Sequence, residues 1–300
     1  MIHVRVPFRR PVETAAGTWT HRDSWIVRER RPDGSVAHGE GSTPEAAVPL
    51  DSLPELAGRS VPVNALLGGG PIDEVVARAR AAVESGFGTI KMKVGAERSD
   101  TELGMRVGAV REAIGPAVKL RLDANGAWEP ATAGERIRAV AGYDIEFVEQ
   151  PIPASAGIGA LARLQAASPV RIAADESVVS ARAAGELLDA GAADVLVVKP
   201  SRLGGWEAAR DAIELVRRTA VPVVLSTMFE TGAGIWVALR LAATLPEGPA
   251  HGLATADLLE SDLLKRPLEI VDGRMIVPER IELDESALDR YAVERMGEWR

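Results

Sequence analysis

The sequence predicts an α/β protein, a (β/α)8-type barrel with a small α+β capping domain built from the N-terminus and the C-terminal tail. Three observations lead there. From Val61 onward, short apolar runs recur about every 25 residues. The segments between them carry apolar residues three and four apart, the helical spacing. Both ends of the chain instead read as strands joined by turns.

Taken in order, residues 1–40 contain three strand-like runs, "IHVRVPF", "SWIVRER" and "SVAHGEG", with the turn signal "PDG" at 32–34. Residues 41–60 are rich in proline and small residues and read as a loop with room for one short helix. Eight apolar runs follow: "VPVNALL" (61–67), "TIKMKV" (89–94), "VKLRLDAN" (118–125), "IEFVEQP" (145–151), "VRIAADES" (170–177), "VLVVKPS" (195–201), "VPVVLST" (221–227) and "HGLAT" (251–255). Amphipathic stretches such as "IDEVVARARAAVESG" and "GGWEAARDAIELVRRTA" alternate with them. Alternation of this kind makes a parallel barrel. The eighth run is the shortest. Near the end, "LEIVDGRMIVPER" reads as strand, turn, strand and is expected to pair with the N-terminal sheet. The expected division is residues 1–60 for the N-terminal part of the capping domain, 61–260 for the barrel and 261–300 for the returning segment.

Composition narrows the function. At 46% hydrophobic the chain can fill a barrel core. Its net charge is −8 and no basic block carries interleaved aromatics, so a nucleic-acid partner is not expected. An anionic small substrate is still compatible, because the field of a site can differ from net charge. There is no cysteine, which removes disulfides, thiolate metal sites and cysteine nucleophiles together. The opening "MIHVRVPFRR" has no apolar signal core, and no run is long enough to cross a bilayer. A cytoplasmic protein without a membrane partner is expected, with its oligomeric state open.

In a parallel barrel the functional side chains lie at the C-terminal ends of the strands. In "TIKMKVG", Lys91 and Lys93 stand two apart and so share a face. Unpartnered cations on a buried face are costly, so something there must accept them. The third run ends with Asp123 and Asn125, the fourth with Glu149, the fifth with Asp175 and Glu176. The sixth ends with Lys199 and the seventh with Ser226 and Thr227. Asp123, Glu149 and Asp175 are separated by 26 residues each, one βα unit apiece. Three carboxylates at one height repel unless a cation joins them, and hard oxygen ligands favour Mg²⁺, with Mn²⁺ possible. Runs two and six are opposite in a ring of eight, which sets Lys93 and Lys199 on facing walls. Each residue alone has an ordinary reading. Glu176 or Ser177 would cap a helix, Lys91 would snorkel to the surface, and Lys199 would be a loop charge. The coincidence of all of them at equivalent strand ends carries the prediction.

"KMK" (91–93), "RLDANGAW" (121–128), "FVEQP" (147–151), "AADES" (173–177) and "VVKPSRLGG" (197–205) resemble, in order, the motifs of the enolase superfamily. Two facing lysines are similar to its muconate-lactonizing subgroup. The mandelate-racemase-like subgroup has a histidine on strand seven, and "LSTMFETGAG" has none. Within the subgroup, "VNALLGG", "RLDANGAW" and "HGLATADLL" look most like the o-succinylbenzoate synthases. That resemblance implies a Mg²⁺-dependent lyase. Its reaction would dehydrate 2-succinyl-6-hydroxy-2,4-cyclohexadiene-1-carboxylate to o-succinylbenzoate in menaquinone biosynthesis, so its partner is a small anionic carboxylate.

The resemblance also implies roles. Lys93 would be the base and then the acid, its pKa lowered by neighbouring positive charge. Lys199 would stay cationic over the planar intermediate. Asp123, Glu149 and Asp175 would hold the metal. Lys91, Asn125, Glu176, Ser226, Thr227 and Gly232 would support the site or bind substrate, the glycine by allowing close backbone approach. An N-acylamino acid racemase, with Lys199 as a second acid/base, is the alternative. A barrel that only binds a ligand is disfavoured by the presence of both lysines and all three carboxylates. Dipeptide epimerases carry an Asp-x-Asp motif at strand eight, which "HGLAT" lacks. The family's capping domain has several helices where this chain has only residues 41–60, which predicts a reduced cap or an absent segment. Trp19, among glycine and threonine, is a lid candidate, whereas Trp25 alternates into the core. His3, His21 and His38 read as structural or solvated and His251 as part of a packing turn.

Overall fold

A computed structural model describes residues 1–14, 17–47 and 56–297. Three sheets organise it. The first is antiparallel, formed by β1 (Ile2–Thr14), β2 (Gly17–Arg30), β3 (Val36–Gly41) and, from the far end of the chain, β14 (Ala292–Arg295), in the order β14-β1-β2-β3. The second is parallel and follows sequence order: β5 (Ala65–Leu67), β6 (Thr89–Lys93), β7 (Lys119–Asp123), β8 (Ile145–Glu149), β9 (Ile172–Ala174), β10 (Val195–Val198) and β11 (Val223–Leu225). The third is small: β4 (Ser60–Pro62), β12 (Ile270–Val271) and β13 (Arg274–Ile276).

Helices join the parallel strands: α1 (Ile72–Glu84), α2 (Asp100–Ile114), α3 (Ala133–Val140), α4 (Ile158–Ala167), α5 (Ala181–Asp189), the short α6 (Pro200–Leu203), α7 (Trp206–Val216) and α8 (Gly232–Ala243). A ninth, α9 (Glu285–Tyr291), precedes β14. Their starts follow local chemistry. Ser99 accepts from Glu102 N–H at α2, and Ser180 accepts from Ala183 N–H at α5. The "DES" cap expected at Glu176 or Ser177 is therefore displaced to Ser180. A loop of several residues intervenes before α5, and it frees Glu176 and Ser177 for other bonds.

Three further expectations change. The run 61–67 is two strands in two sheets, because its first half pairs with β13 and its second with β6. Pro62 has no N–H with which to carry one ladder through. The hairpin of residues 270–276 does not join the N-terminal sheet; it pairs with β4, and β14 is the strand that returns to β1. The eighth run forms no extended strand. Single parallel bridges tie His251 to Val63 and Gly252 to Ser226. A Cβ on Gly252 would lie 2.5 Å from Ser226 Oγ, so the wall closes only around glycine. Residues 48–55, the middle of the loop expected at 41–60, lie outside the described residues.

Alternate positions along the parallel strands face inward. Phe147, Ala173, Val195, Val197 and Val224 form an apolar cluster of their own. Two residues further along those strands come Glu149, Asp175, Lys199 and Ser226. The barrel therefore has an apolar floor and a polar layer above it. Arg121 crosses the interior fully buried. It donates to Glu146 Oε2 at 2.6 Å, Ala250 O at 2.6 Å and Asn64 Oδ1 at 3.2 Å. It thereby ties β7 to β8, to Asn64 just before β5 and to Ala250 just before the eighth run.

Candidate active site

The polar layer is built by register. Lys93 pairs with Asp123 across β6 and β7, and Asp123 with Glu149 across β7 and β8. Asp175 follows β9 directly, and its N–H donates to Gln150 Oε1 at 3.0 Å. Gln150 also donates from Nε2 to Ser177 Oγ at 3.0 Å, which fixes the chain after β9. Lys199 follows β10. Strand ends at one level thus deliver both lysines and all three carboxylates to one end of the barrel.

Lys91 answers to the carboxylates. Its Nζ lies 2.9 Å from Asp123 Oδ2 and 2.8 Å from Glu149 Oε1. Burial works against its charge, but Asp123, Glu149 and Asp175 outweigh burial and hold the ammonium well above the usual lysine range. Lys93 is the opposite case. Burial lowers its pKa, and against the pull of Asp123 the neighbouring Lys91 and Lys199 charges lower it further. Lys199 Nζ donates to Asp175 Oδ2 at 2.6 Å. Asp175 also accepts from Arg202, and these two cations hold its carboxyl far below the ordinary value despite complete burial. Burial pushes Glu149 up, Asp123 and Asp175 adding to it while Lys91 opposes. Burial also raises Glu176, with Asp175 next in effect.

A cavity of about 200 Å³ opens onto this layer. It is lined by Lys91, Lys93, Asp123, Asn125, Glu176 and Lys199 on the barrel side, and by Ser226 and Thr227 beyond β11. Thr14 and Trp19 of the antiparallel sheet close it from above. A wider groove of about 600 Å³ lies elsewhere, between β2–β3 and the C-terminal segment, and holds none of the predicted residues.

Most expected residues converge here. Asn125 donates to Glu176 Oε1 at 3.2 Å, so these two hold each other. Ser226 Oγ donates to Gly252 O at 3.3 Å, and Thr227 shares a 3.0 Å hydrogen bond with Thr255. Gly232 is not brought to the cavity. Its N–H donates to Asp262 O, and a Cβ there would strike Leu264 at 2.4 Å, so the close approach it permits is to Leu264. Trp25 stacks on His3 at 4.8 Å. His251 accepts from Leu225 N–H, and burial, helped by Arg121, lowers its pKa to about 3. Sequence reasoning passed over Arg202, Phe229, Gly252 and Thr255, all of which line the cavity. Arg202 carried a signal, since it stands three residues after Lys199 at a helix start. Phe229 sits between Met228 and Glu230 in "STMFETG" and carried none.

The donor set suits a hard divalent cation: carboxylate oxygen only, buried, with one member destabilised as an anion by the other two. Among the described residues no three carboxylates or imidazoles stand close enough to grip one ion. Lys91 bridges Asp123 and Glu149, while Lys199 and Arg202 hold Asp175. Asp123, Glu149 and Asp175 remain the residues that could hold a metal, with Lys91 withdrawn from between the first two.

The enolase C-terminal domain-like family model matches residues 74–287. The o-succinylbenzoate synthase of Thermobifida fusca is 40% identical over 238 residues, 78% of this chain and 72% of that protein. The L-Ala-D/L-Glu epimerase of Bacillus subtilis is 36% identical over 174 residues, 57% of this chain and 47% of that protein. Among solved structures, the muconate lactonizing enzyme from Pseudomonas fluorescens complexed with muconolactone superposes with a TM-score of 0.85 at 23% identity. That superposition covers 97% of each chain. The motifs, the register that aligns them and the family match agree: this chain belongs to the enolase superfamily, and its barrel to the enolase C-terminal domain-like family.

Proposed function

We propose that this chain dehydrates 2-succinyl-6-hydroxy-2,4-cyclohexadiene-1-carboxylate to o-succinylbenzoate, a step in menaquinone biosynthesis, in a Mg²⁺-dependent lyase reaction. The observation that carries the reading is one cavity lined by Lys91, Lys93 and Lys199, with the first held as an ammonium and the second lowered in pKa, beside three buried carboxylates. Likeness to the Thermobifida fusca synthase supports the choice of substrate. So does the neutral wall at the eighth position, where Gly252 and Thr255 offer no carboxylate to a substrate ammonium.

Asp123, Glu149 and Asp175 would hold Mg²⁺, which when bound supplies positive charge for the substrate carboxylate. Lys93 Nζ, its pKa lowered, takes the proton from the carbon bearing that carboxylate. The C–H electron pair enters the ring and the C–O bond to the hydroxyl breaks. Lys93 returns its proton to the departing oxygen, so that water leaves and the ring becomes aromatic. Lys199, fixed by Asp175, stays cationic against the face of the developing planar anion. Ser226 and Thr227 face the same cavity and would meet the succinyl carboxylate.

The test incubates the protein and Mg²⁺ with the cyclohexadiene and, separately, with an N-succinylamino acid. Loss of the diene absorbance, abolished by EDTA, is the expected result. Racemisation of the second compound without turnover of the first would assign the chain to the N-acylamino acid racemases. That second reading has one observation of its own, lysines that reach the cavity from two strands on opposite sides.

A further inference from the structure

A strained turn and a buried carboxylate meet where the antiparallel sheet touches the barrel. Phe229, between β11 and α8, has a φ of +63°. A bulky side chain rarely enters this left-handed region, and it persists there only where the surroundings hold it. The Phe229 ring walls the cavity, with Lys93 Nζ 5.7 Å from its centroid. Phe8 of β1 meets the same ring edge-on at 5.7 Å, and Trp19 of β2 at 6.4 Å. Two aromatic residues of the cap therefore rest on one of the barrel.

The restraint on the turn is polar. Met228 N–H donates to Glu230 Oε2 at 2.6 Å. Thr231 donates from its N–H to Glu40 Oε1 at 3.0 Å and from its hydroxyl to Oε2 at 2.6 Å. Gly234 N–H donates to Oε2 at 2.8 Å, and Ser24 Oγ to Oε1 at 2.6 Å. Glu40 belongs to β3. The first N–H groups of a helix have no partner within it, and Thr231 supplies no side-chain cap to α8. A carboxylate from the other sheet does so instead, where the helix dipole also favours it. The remaining charges beside Glu40 are Glu230 and Arg22, 3.5 Å apart. A Cβ on Gly234 would lie 2.5 Å from Glu230 Cβ and 3.0 Å from Glu40 Oε2, so this approach requires glycine.

We propose that Glu40 is a positioning residue and that Phe229 is the specificity-determining contact it positions. By capping α8 from the antiparallel sheet, Glu40 holds the 228–231 turn in its left-handed form, and the Phe229 ring then sets the width of the cavity beside Lys93. The substrate used to test this rests on the function proposed above; the geometry does not.

Glu40→Gln keeps the side-chain length but turns one acceptor into a donor, so a backbone N–H loses its partner. On the full chain with Mg²⁺, KM for the cyclohexadiene should rise about tenfold, with kcat changed less than about threefold. Amide exchange of residues 228–234 should quicken about tenfold or more while β6–β8 are unaffected. In a Phe229→Leu background, Glu40→Gln should add less than about twofold to KM, because both act through one turn. Should Glu40→Gln not fold, Gly234→Ala probes the same contact from the barrel side with every cap residue intact, and the same KM and exchange changes are expected. Exchange quickened evenly along the chain, an unchanged KM, or effects of the two substitutions that simply multiply would overturn the proposal. If the wild type turns over neither compound, the functional reading fails, while the exchange pattern still decides whether Glu40 positions the turn.

Discussion

Lys93 can act as a base only after losing its proton. Burial and two neighbouring ammonium groups lower its pKa, so the neutral form dominates from a lower pH than for a free lysine, whose pKa is about 10.4. The rate should therefore rise with pH through a limb centred below that value, and a pH–rate profile at saturating Mg²⁺ with its limb at or above it would refute the base assignment. Lys93→Ala removes base and acid together, and kcat should fall about 10³-fold or more. Asp123→Asn, Glu149→Gln and Asp175→Asn should each remove Mg²⁺ binding in calorimetric titration while the far-ultraviolet circular dichroism stays native. Full turnover in EDTA would dismiss the metal. These residues were legible in the sequence because strand period and unit length fix them. The opposite fates of Lys91 and Lys93 were only half legible. Both share a face, but only the fold shows Lys91 placed between Asp123 and Glu149.

At the scale of elements, the parallel strands were legible because apolar runs and helical spacing alternate. The eighth position was not, because its closure rests on side chains far away in sequence. Arg121 is fully buried and joins Glu146, Asn64 and Ala250. Arg121→Met leaves the Glu146 carboxylate without its guanidinium and should cost about 3–5 kcal/mol, measurable as a lower denaturation midpoint. His251 lies at the same closure. Its pKa is about 3 in the folded chain and near 6.5 once unfolded, so only the unfolded chain takes up the proton as pH falls below 6.5. Stability is fully present above pH 6.5 and declines by about 1.4 kcal/mol per unit below it, until the folded pKa is reached. Denaturation midpoints at pH 7 and pH 5 should differ by that share. His251→Gln, which can still accept from Leu225 N–H, should remove it, and an unchanged slope would contradict the assignment.

On the scale of the whole molecule, the division proposed at residues 60 and 260 cuts across the small sheet that joins β4 to β12 and β13. Sequence periodicity cannot reveal such a join, because its partners lie more than 200 residues apart. The same holds for β14, whose Arg295 is the register partner of Ile2. That pairing has a temporal consequence. On a ribosome the β1–β3 hairpins emerge before the parallel strands but cannot gain their outer neighbour until β14 has followed all of those strands. The parallel strands, each adjacent to the next in sequence, close shorter loops and gather their contacts earlier. Refolding followed by pulsed amide labelling should therefore protect β6–β8 before β1 and β14. The chamber floor, with its carboxylates and lysines, would then exist before its roof, and substrate would be enclosed only once β1 and β14 had found each other.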